Sequence, residues 1–191
     1  MASLELIPAT TALVVIDLQN GIVGRALEPH PSAEVVKHSV QLAKALRAQG
    51  GLVVWVRVAM AEILALPVDA PMRDPNAPPP PAEASELVAE LDRQPGDLVI
   101  TKRQWGAFYG TELEQMLRRR GIRTILMAGI ATNLGVESTA RAAFDMGYEL
   151  VFVEDAMSTM KAEMHEFATT VTFPRMGRVR SAETVLEALK A

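Results

Sequence analysis

The sequence predicts an α/β protein with a parallel sheet covered by helices on both faces. Short apolar runs alternate with helical patterns along the chain, and several runs are apolar throughout, which is typical of strands buried on both sides. Such strands are joined by right-handed crossovers. The 191 residues favour one domain spanning residues 1–191, and the 49% hydrophobic content is sufficient for a sizeable core.

The first part of the chain supplies two strands and a long helix. Residues 12–16 and 52–58 are apolar runs typical of buried strands. Ser32 is a candidate N-cap for a helix that ends at the two glycines of residues 50–51. The helical spacing predicts an apolar face formed by Val36, Val40, Ala43 and Leu46.

Residues 59–82 differ in composition from the rest of the chain. Seven prolines fall between Pro67 and Pro81, four of them consecutive, which excludes a regular helix or a central strand. The segment is predicted to be either a covering loop or a stiff polyproline arm. A short helix is predicted over residues 83–92, and a third strand over residues 97–101.

The next helix carries a basic run. Thr111 and Glu114 have the spacing of a capping box at its start. The three arginines of residues 118–120 precede Gly121, and cations in a last helical turn interact favourably with the helix dipole. Because the formal net charge is −4, this interpretation is preferred to a nucleic-acid contact.

The last third of the chain repeats the alternation. An apolar run at residues 125–128 breaks at a turn over residues 129–135 and resumes as a helix, with Val136, Ala140 and Ala143 on one stripe. Gly147 is the predicted stop of that helix. Further elements are predicted as a strand at 148–153, a helix at 161–172, a short strand at 179–180 and a final helix capped by Ser181.

Composition excludes several classes of protein. The negative charge gives no electrostatic basis for binding nucleic acid or an anionic membrane. The absence of cysteine excludes disulfides, thiolate metal sites and a cysteine nucleophile. No signal-peptide pattern and no apolar run of about 20 residues are present, so a soluble cytoplasmic protein is expected. His30, His38 and His165 lack metal-ligand spacing, so neither a metal nor another cofactor is predicted.

Polar residues follow the predicted strands. Asp17 and Lys102 each end an apolar run, and Thr132 and Asn133 lie in the turn before Gly135. Carboxyl ends of parallel strands share one sheet edge, so these groups can converge into a site for a small-molecule substrate. An aspartate beside a lysine makes a proton-transfer pair. An equally weighted alternative is that the aspartate caps a turn and the lysine is solvated.

Three aromatic residues follow the predicted lysine. Trp105, Phe108 and Tyr109 are suited either to the wall of a pocket for a flat substrate or to the core. The turn at residues 129–135 is not a phosphate loop, because no Gly-Lys-Ser/Thr follows it.

Together these segments resemble the isochorismatase-like hydrolase family, which includes nicotinamidases and related amide hydrolases. The resemblance covers nearly the whole chain. It rests on ALVVIDLQNGI around Asp17, ITKRQWGAFYGTELEQMLRRRGI around Lys102 and GIATNLGVESTARAAFDMGYELVFVEDA around Gly135. It implies a Rossmann-like, three-layer α/β/α fold with a six-stranded parallel sheet, and a homodimer or homotetramer.

The resemblance also implies roles for individual residues. The family's cysteine hydrolases use an Asp, Lys and Cys trio, which corresponds to Asp17, Lys102 and Gly135. A cis peptide is implied at Ile130–Ala131, with the N–H groups of Ala131 and Gly135 as an oxyanion hole. The residues expected to shape the pocket are Gln19, Asn133, Trp105 and Phe108.

Glycine at the nucleophile position departs from the cysteine hydrolases. Without a nucleophile, Gly135 excludes an acyl-enzyme route, and water is expected to attack. The sequence here is similar to true isochorismatases, which can carry glycine and cleave a vinyl ether with the aspartate as proton donor. No nicotinamidase-type Asp/His cluster is recognisable at residues 57–82, so the resemblance implies no metal. Two alternatives are a non-catalytic binder and a scaffold acting through the proline segment.

Overall fold

The computed structural model describes residues 4–74 and 76–190, and its centre is one parallel sheet. Six strands are hydrogen-bonded in the order β3-β2-β1-β4-β5-β6, and every neighbouring pair is parallel. The predicted fold class is confirmed. The strands are β1 Thr11–Ile16, β2 Leu52–Val58, β3 Leu98–Lys102, β4 Thr124–Ile130, β5 Glu149–Ser158 and β6 Gly177–Arg180.

Helices cover both faces of this sheet. They are α1 Asn20–Val23, α2 Ser32–Ala48, α3 Leu113–Arg119, α4 Glu137–Asp145, α5 Ala162–Phe167 and α6 Ala182–Ala188. In β1, Leu13 and Val15 pack with the α2 and α6 side, whereas Val14 and Ile16 pack with the α3 and α4 side. Among the described residues, no helix is both long and apolar enough to cross a membrane.

The buried face of α2 is rotated from the predicted one. Val35, Leu42 and Leu46 are fully buried, whereas Val36 and Val40 are only partly covered. The two valines lie beside the buried stripe, and their apolar character alone did not show which side of the stripe faces the sheet.

The capping box predicted at the start of α3 is wrong. The hydroxyl of Thr111 accepts a hydrogen bond from the N–H of Leu113 at 3.2 Å and donates to the carbonyl of Ala107 at 2.6 Å. The side chain of Glu114 instead faces Arg118 at 3.8 Å, one helical turn later. The guanidinium of Arg118 lies 4.2 Å from the ring centroid of Tyr148, so the basic last turn packs against its own domain.

The helix predicted at residues 83–92 is replaced by two 3-10 turns, Ala82–Ser85 and Ala89–Leu91. The N–H of Val88 donates to the carbonyl of Leu18 at 3.1 Å, and the carbonyl of Glu86 accepts from the N–H of Asn20 at 2.9 Å. These bonds tie the segment to the loop after β1, so its backbone groups are not available for a helical ladder.

The proline-rich segment is irregular, as predicted. A 3-10 turn at Met60–Glu62 precedes it, and no helix or strand occurs in the described part of residues 63–81, from which Pro75 is left out. Leu64 and Leu66 are 77% and 66% exposed, so the first part of the segment projects apolar side chains to the surface.

Two irregularities shape the carboxyl edge of the sheet. Gly129 has a φ of +110°, and a Cβ there would lie 2.1 Å from the backbone oxygen of Ile16, so β1 and β4 can approach only because this residue is glycine. In β5, Phe152 pairs with Met127 but Met157 pairs with Gly129, which leaves a bulge at residues 153–156. The fifth strand therefore continues beyond its predicted end.

Candidate active site

Asp17 ends β1 in an unusual backbone conformation. Its φ is +55°, which lies in the left-handed region that aspartate tolerates better than most residues. Its N–H donates to the carbonyl of Val56 at 2.8 Å, and its carbonyl accepts from the N–H of Gln19 at 2.9 Å. These bonds fix the turn at the sheet edge, and the Asp17 side chain is buried below it.

Lys102 meets this carboxylate from the end of β3. Its Nζ lies 2.8 Å from Oδ2 of Asp17 and donates to the carbonyl of Trp105 at 2.5 Å. The lysine side chain is only 1% exposed, so it is not solvated. An ammonium has three N–H donors, and in the described part of the chain these two acceptors leave one donor for a ligand.

Burial raises the pKa of Asp17 to about 6, against the opposing attraction of Lys102 and its hydrogen bond. Oδ1 of the same carboxyl is buried and has no hydrogen-bond partner among the described residues. A carboxyl whose pKa is close to neutrality, with one uncommitted oxygen, is suited to hold and release a proton.

Gly135 completes the group from the turn after β4. It lies in a π-helical turn, Thr132–Val136, that leads directly into α4. A Cβ built there would lie 3.0 Å from Nζ of Lys102 and 3.4 Å from Oδ2 of Asp17. The side-chain position of residue 135 therefore faces the Asp17–Lys102 pair.

The turn around Gly135 is held by backbone and hydroxyl contacts. The peptide bond Ile130–Ala131 is cis, and the carbonyl of Ala131 accepts from the N–H of Leu134 at 3.1 Å. The hydroxyl of Thr139 donates to the carbonyl of Gly135 at 2.7 Å. Ala131 and Gly135 thus belong to one tightly bonded turn, in which their N–H groups remain the predicted oxyanion donors.

Comparison with known proteins shows which family this chain belongs to. The isochorismatase domain model matches residues 11–184, which is most of the chain and includes Asp17, Lys102 and Gly135. The chain belongs to the isochorismatase-like hydrolase family. The resemblance predicted from the three sequence motifs is therefore confirmed.

Relatives in this family match nearly the whole length of the chain. The isochorismatase family protein YecD of Escherichia coli O157:H7, which is uncharacterized, is 50% identical over 190 residues, covering 97% of this chain and 100% of YecD. The uncharacterized YwoC of Bacillus subtilis (strain 168) is 46% identical and covers 94% of each chain. The structure of an isochorismatase family protein from Burkholderia thailandensis superposes with a TM-score of 0.92 at 44% identity, covering 100% of both chains.

Gln19, two residues after Asp17, is bonded through its side chain to the backbone of two other segments. Its side-chain nitrogen donates to the carbonyls of Val58 and Ala84 at 3.1 and 3.0 Å, and its side-chain oxygen accepts from the N–H of Val58 at 2.8 Å. Both amide protons are used by the backbone and the residue is fully buried. Gln19, which the sequence predicted to help shape the pocket, therefore joins β2 to the segment after the prolines.

This role of Gln19 predicts a large effect on stability. Gln19→Leu would remove the partner of the buried N–H and carbonyl of Val58 and of the partly buried carbonyl of Ala84, and we expect the free energy of unfolding to fall by about 3 kcal/mol. Chemical denaturation with urea measures this loss. Gln41→Leu on the exposed face of α2 is the matched control, expected to change stability by less than about 0.5 kcal/mol. Equal stabilities of the two variants would contradict the assignment.

The other residues predicted to shape the pocket differ from one another in how far they are buried. Phe108 is buried, with its ring 6.1 Å from that of Tyr148 in the core under α3 and α4, which favours the core alternative over the pocket wall. The Trp105 side chain is 54% exposed, and its carbonyl is the part that contacts Lys102. Asn133 is half-buried and accepts a hydrogen bond from the hydroxyl of Thr159 at 2.6 Å.

Three further side chains lie close together beside the turn Thr132–Val136. His30, Glu154 and His165 have side-chain nitrogen and oxygen atoms within 4.8 Å of one another. The pKa of Glu154 is lowered by His165, and also by His30, against the effect of partial burial. The sequence predicted no metal site here, because the histidines lack metal-ligand spacing. The usable signal was Glu154, which follows an apolar strand at the same sheet edge as Asp17.

Proposed function

We propose that the protein hydrolyses a small metabolite containing a vinyl ether or a related bond, through acid–base chemistry by Asp17 and Lys102 without a covalent intermediate. One observation carries this proposal. The Asp17 carboxyl, the Lys102 ammonium and the open side-chain position of Gly135 meet at one point on the sheet edge.

The reaction follows from the chemistry of these groups. Asp17 donates its proton to the terminal carbon of the vinyl ether, which leaves an oxocarbenium ion. Water adds to the oxygen-bearing carbon, and the resulting hemiketal breaks into an alcohol and a carbonyl compound, returning a proton to Asp17. Lys102 keeps the carboxyl in position and stabilises the carboxylate that forms, while the N–H groups of Ala131 and Gly135 hold a substrate oxygen.

A route through an acyl-enzyme is not available to this chain. Gly135 has no side chain, and the sequence contains no cysteine that could replace it. A protein that only bound a ligand would not need a buried carboxyl with a raised pKa against a buried lysine. This favours a catalytic role over the non-catalytic alternative.

A turnover screen tests the proposal. Purified protein is incubated with a panel of vinyl ethers and small amides, and products are followed by chromatography and mass spectrometry, with Asp17→Asn as the blank. We expect turnover of a vinyl ether that is absent from the blank. Turnover of amides alone, or product formation that is equal in the blank, would overturn the proposal.

The pH dependence of turnover is predicted by the raised pKa of Asp17. A proton donor must be protonated in the free enzyme, so kcat/KM should be constant below about pH 6 and fall about tenfold per pH unit above it. Initial rates measured from about pH 5 to about pH 8 give the profile. A rate that instead rises through pH 6 would make Asp17 a base and contradict the donor role.

We also propose that this chain assembles into a homodimer or homotetramer. Its other binding partner is the small-molecule substrate. Exposed Leu64 and Leu66 in the proline-rich segment support a protein contact there, because exposed apolar side chains close together favour association. A cytoplasmic location agrees with the reaction on a small metabolite.

A further inference from the structure

A second cluster of functional side chains lies outside the Asp17–Lys102 pair. Nε2 of His30 lies 3.3 Å from Oε2 of Glu154, and Nε2 of His165 lies 3.7 Å from the same oxygen. Nε2 of His165 is buried and has no hydrogen-bond partner in the part of the chain that the structure describes. A buried, unpartnered imidazole nitrogen aimed at a carboxylate needs an explanation.

The separations match those of ligands that share one metal ion. Zinc binds histidine nitrogen and carboxylate oxygen at about 2.0–2.2 Å, and at a tetrahedral ion such ligand atoms are about 3.3 Å apart. The two distances to Oε2 of Glu154 are close to this value, and all three atoms lie within 4.8 Å. A small inward movement of the partly exposed His30 and Glu154 side chains completes the geometry.

The other ring nitrogen of each imidazole has a polar neighbour outside the cluster, and for His165 this neighbour is a hydrogen-bond partner that orients the ring. Nδ1 of His165 is hydrogen-bonded to the hydroxyl of Thr132 at 2.9 Å, and Nδ1 of His30 lies 4.0 Å from Oε2 of Glu34. Histidines that bind metals characteristically place the other ring nitrogen on such a partner, which fixes the orientation of the ring.

The backbone holds the three residues before any ion arrives. His30 lies in the loop before α2, Glu154 in the β5 bulge and His165 in α5. The loop is joined to the end of β5 by paired hydrogen bonds between Glu28 and Thr159, at 2.7 and 3.0 Å. The carboxylate of Glu28 also accepts from the N–H of Ala162 at the start of α5, at 3.1 Å.

We propose that His30, Glu154 and His165 bind one divalent transition-metal ion of the zinc type. Two imidazoles and a carboxylate favour such an ion over magnesium or calcium, which prefer all-oxygen sites. The partly exposed side of His30 and Glu154 provides entry and a position for water. Through the hydrogen bond between Nδ1 of His165 and the hydroxyl of Thr132, the ion braces the turn that carries Ala131 and Gly135.

Metal binding is measured directly, without reference to turnover. Tag-free protein is treated with a chelator and dialysed, then titrated with zinc chloride by calorimetry and with cobalt chloride by visible absorption. We expect one ion per chain, a Kd in the micromolar range or below, and cobalt d–d bands of a four- or five-coordinate site. Magnesium chloride should give no binding under the same conditions.

Variants locate the ion. Glu154→Gln and His30→Gln should each weaken zinc binding by more than about 100-fold, because each removes a ligand. His30 is partly exposed, so its variant tests the site even if a change at buried His165 prevents folding. His38→Gln is the matched control, because Nδ1 of His38 is hydrogen-bonded to the carbonyl of Asp155 at 2.8 Å and is not a proposed ligand. This variant should bind zinc as tightly as the wild-type protein does.

Two results would overturn the metal site. One is a wild-type protein without stoichiometric zinc or cobalt binding. The other is unchanged binding in His30→Gln and Glu154→Gln, which would place the ion elsewhere. Because the readout is metal binding, neither result bears on whether Asp17 and Lys102 catalyse hydrolysis.

Discussion

Asp17→Asn is expected to lower kcat on the native substrate by about 10²–10⁴-fold, the usual contribution of a positioned proton donor. The amide keeps the shape of the side chain but cannot supply the proton that the buried carboxyl holds. The change also leaves the ammonium of Lys102 buried without an opposing charge, with only neutral oxygens as acceptors, which can cost about 3–5 kcal/mol of stability. Kinetics are therefore measured beside thermal unfolding, at a temperature where the variant is folded.

Asp97→Asn is the matched control for loss of a buried carboxylate. The Asp97 side chain is 3% exposed and accepts hydrogen bonds from Arg47 and from the indole N–H of Trp55, both at 2.9 Å. It lies outside the proposed machinery, so its variant should lose stability and keep a kcat close to that of the wild type. A folded Asp17→Asn protein with wild-type kcat would show that another group donates the proton.

The positions of Asp17 and Lys102 were predictable because a parallel sheet gathers its carboxyl ends at one edge. Each residue directly ends an apolar run, so its place in the sequence fixes its place on that edge. The glycine stop of α4 and the buried stripe of Val136, Ala140 and Ala143 followed from local periodicity in the same way. These features depend on short stretches of chain, where sequence patterns carry most of the information.

Features that depend on distant contacts were not predictable. The side-chain amide of Gln19 is hydrogen-bonded to Val58 and Ala84, which are far away in sequence. No pattern near Gln19 predicts these partners. His30, Glu154 and His165 come from three separate elements, so the spacing rules for metal ligands within one motif do not apply. Phe108 follows Lys102 closely but turns into the core beside Tyr148, because burial there outweighs proximity to the site.

The geometry at Gly135 bears on why this chain lacks a nucleophile. The φ of Gly135 lies outside the left-handed region, so its backbone accepts other residues. A Cβ would nevertheless lie 3.0 Å from both Nζ of Lys102 and Cγ2 of Ile16, closer than ordinary side-chain contacts. One explanation is that a nucleophile was lost to a residue that the turn tolerates. The other is that glycine keeps open a space that water or a substrate group needs beside Asp17.

Gly135→Cys distinguishes these explanations. We expect the variant to fold at a cost of about 1–3 kcal/mol, because Lys102 and Ile16 must move by a few tenths of an ångström. If the space is functional, the sulfur displaces the ammonium of Lys102 and fills the site, and kcat/KM on the native substrate falls by about 100-fold. Gly135→Ala, with only the Cβ, should lose less.

Gly96→Cys is the matched control for the introduced thiol, because Gly96 is exposed and a Cβ there meets nothing within 4 Å. It should keep wild-type turnover, so oxidation or labelling of a cysteine cannot account for the loss at position 135. Intact-mass spectrometry during turnover should show no covalent adduct on the wild type, whereas a small amide can trap Gly135→Cys as a thioester. Unchanged or faster native turnover by folded Gly135→Cys would mean that the space at Gly135 has no role in the reaction and that the glycine is only tolerated.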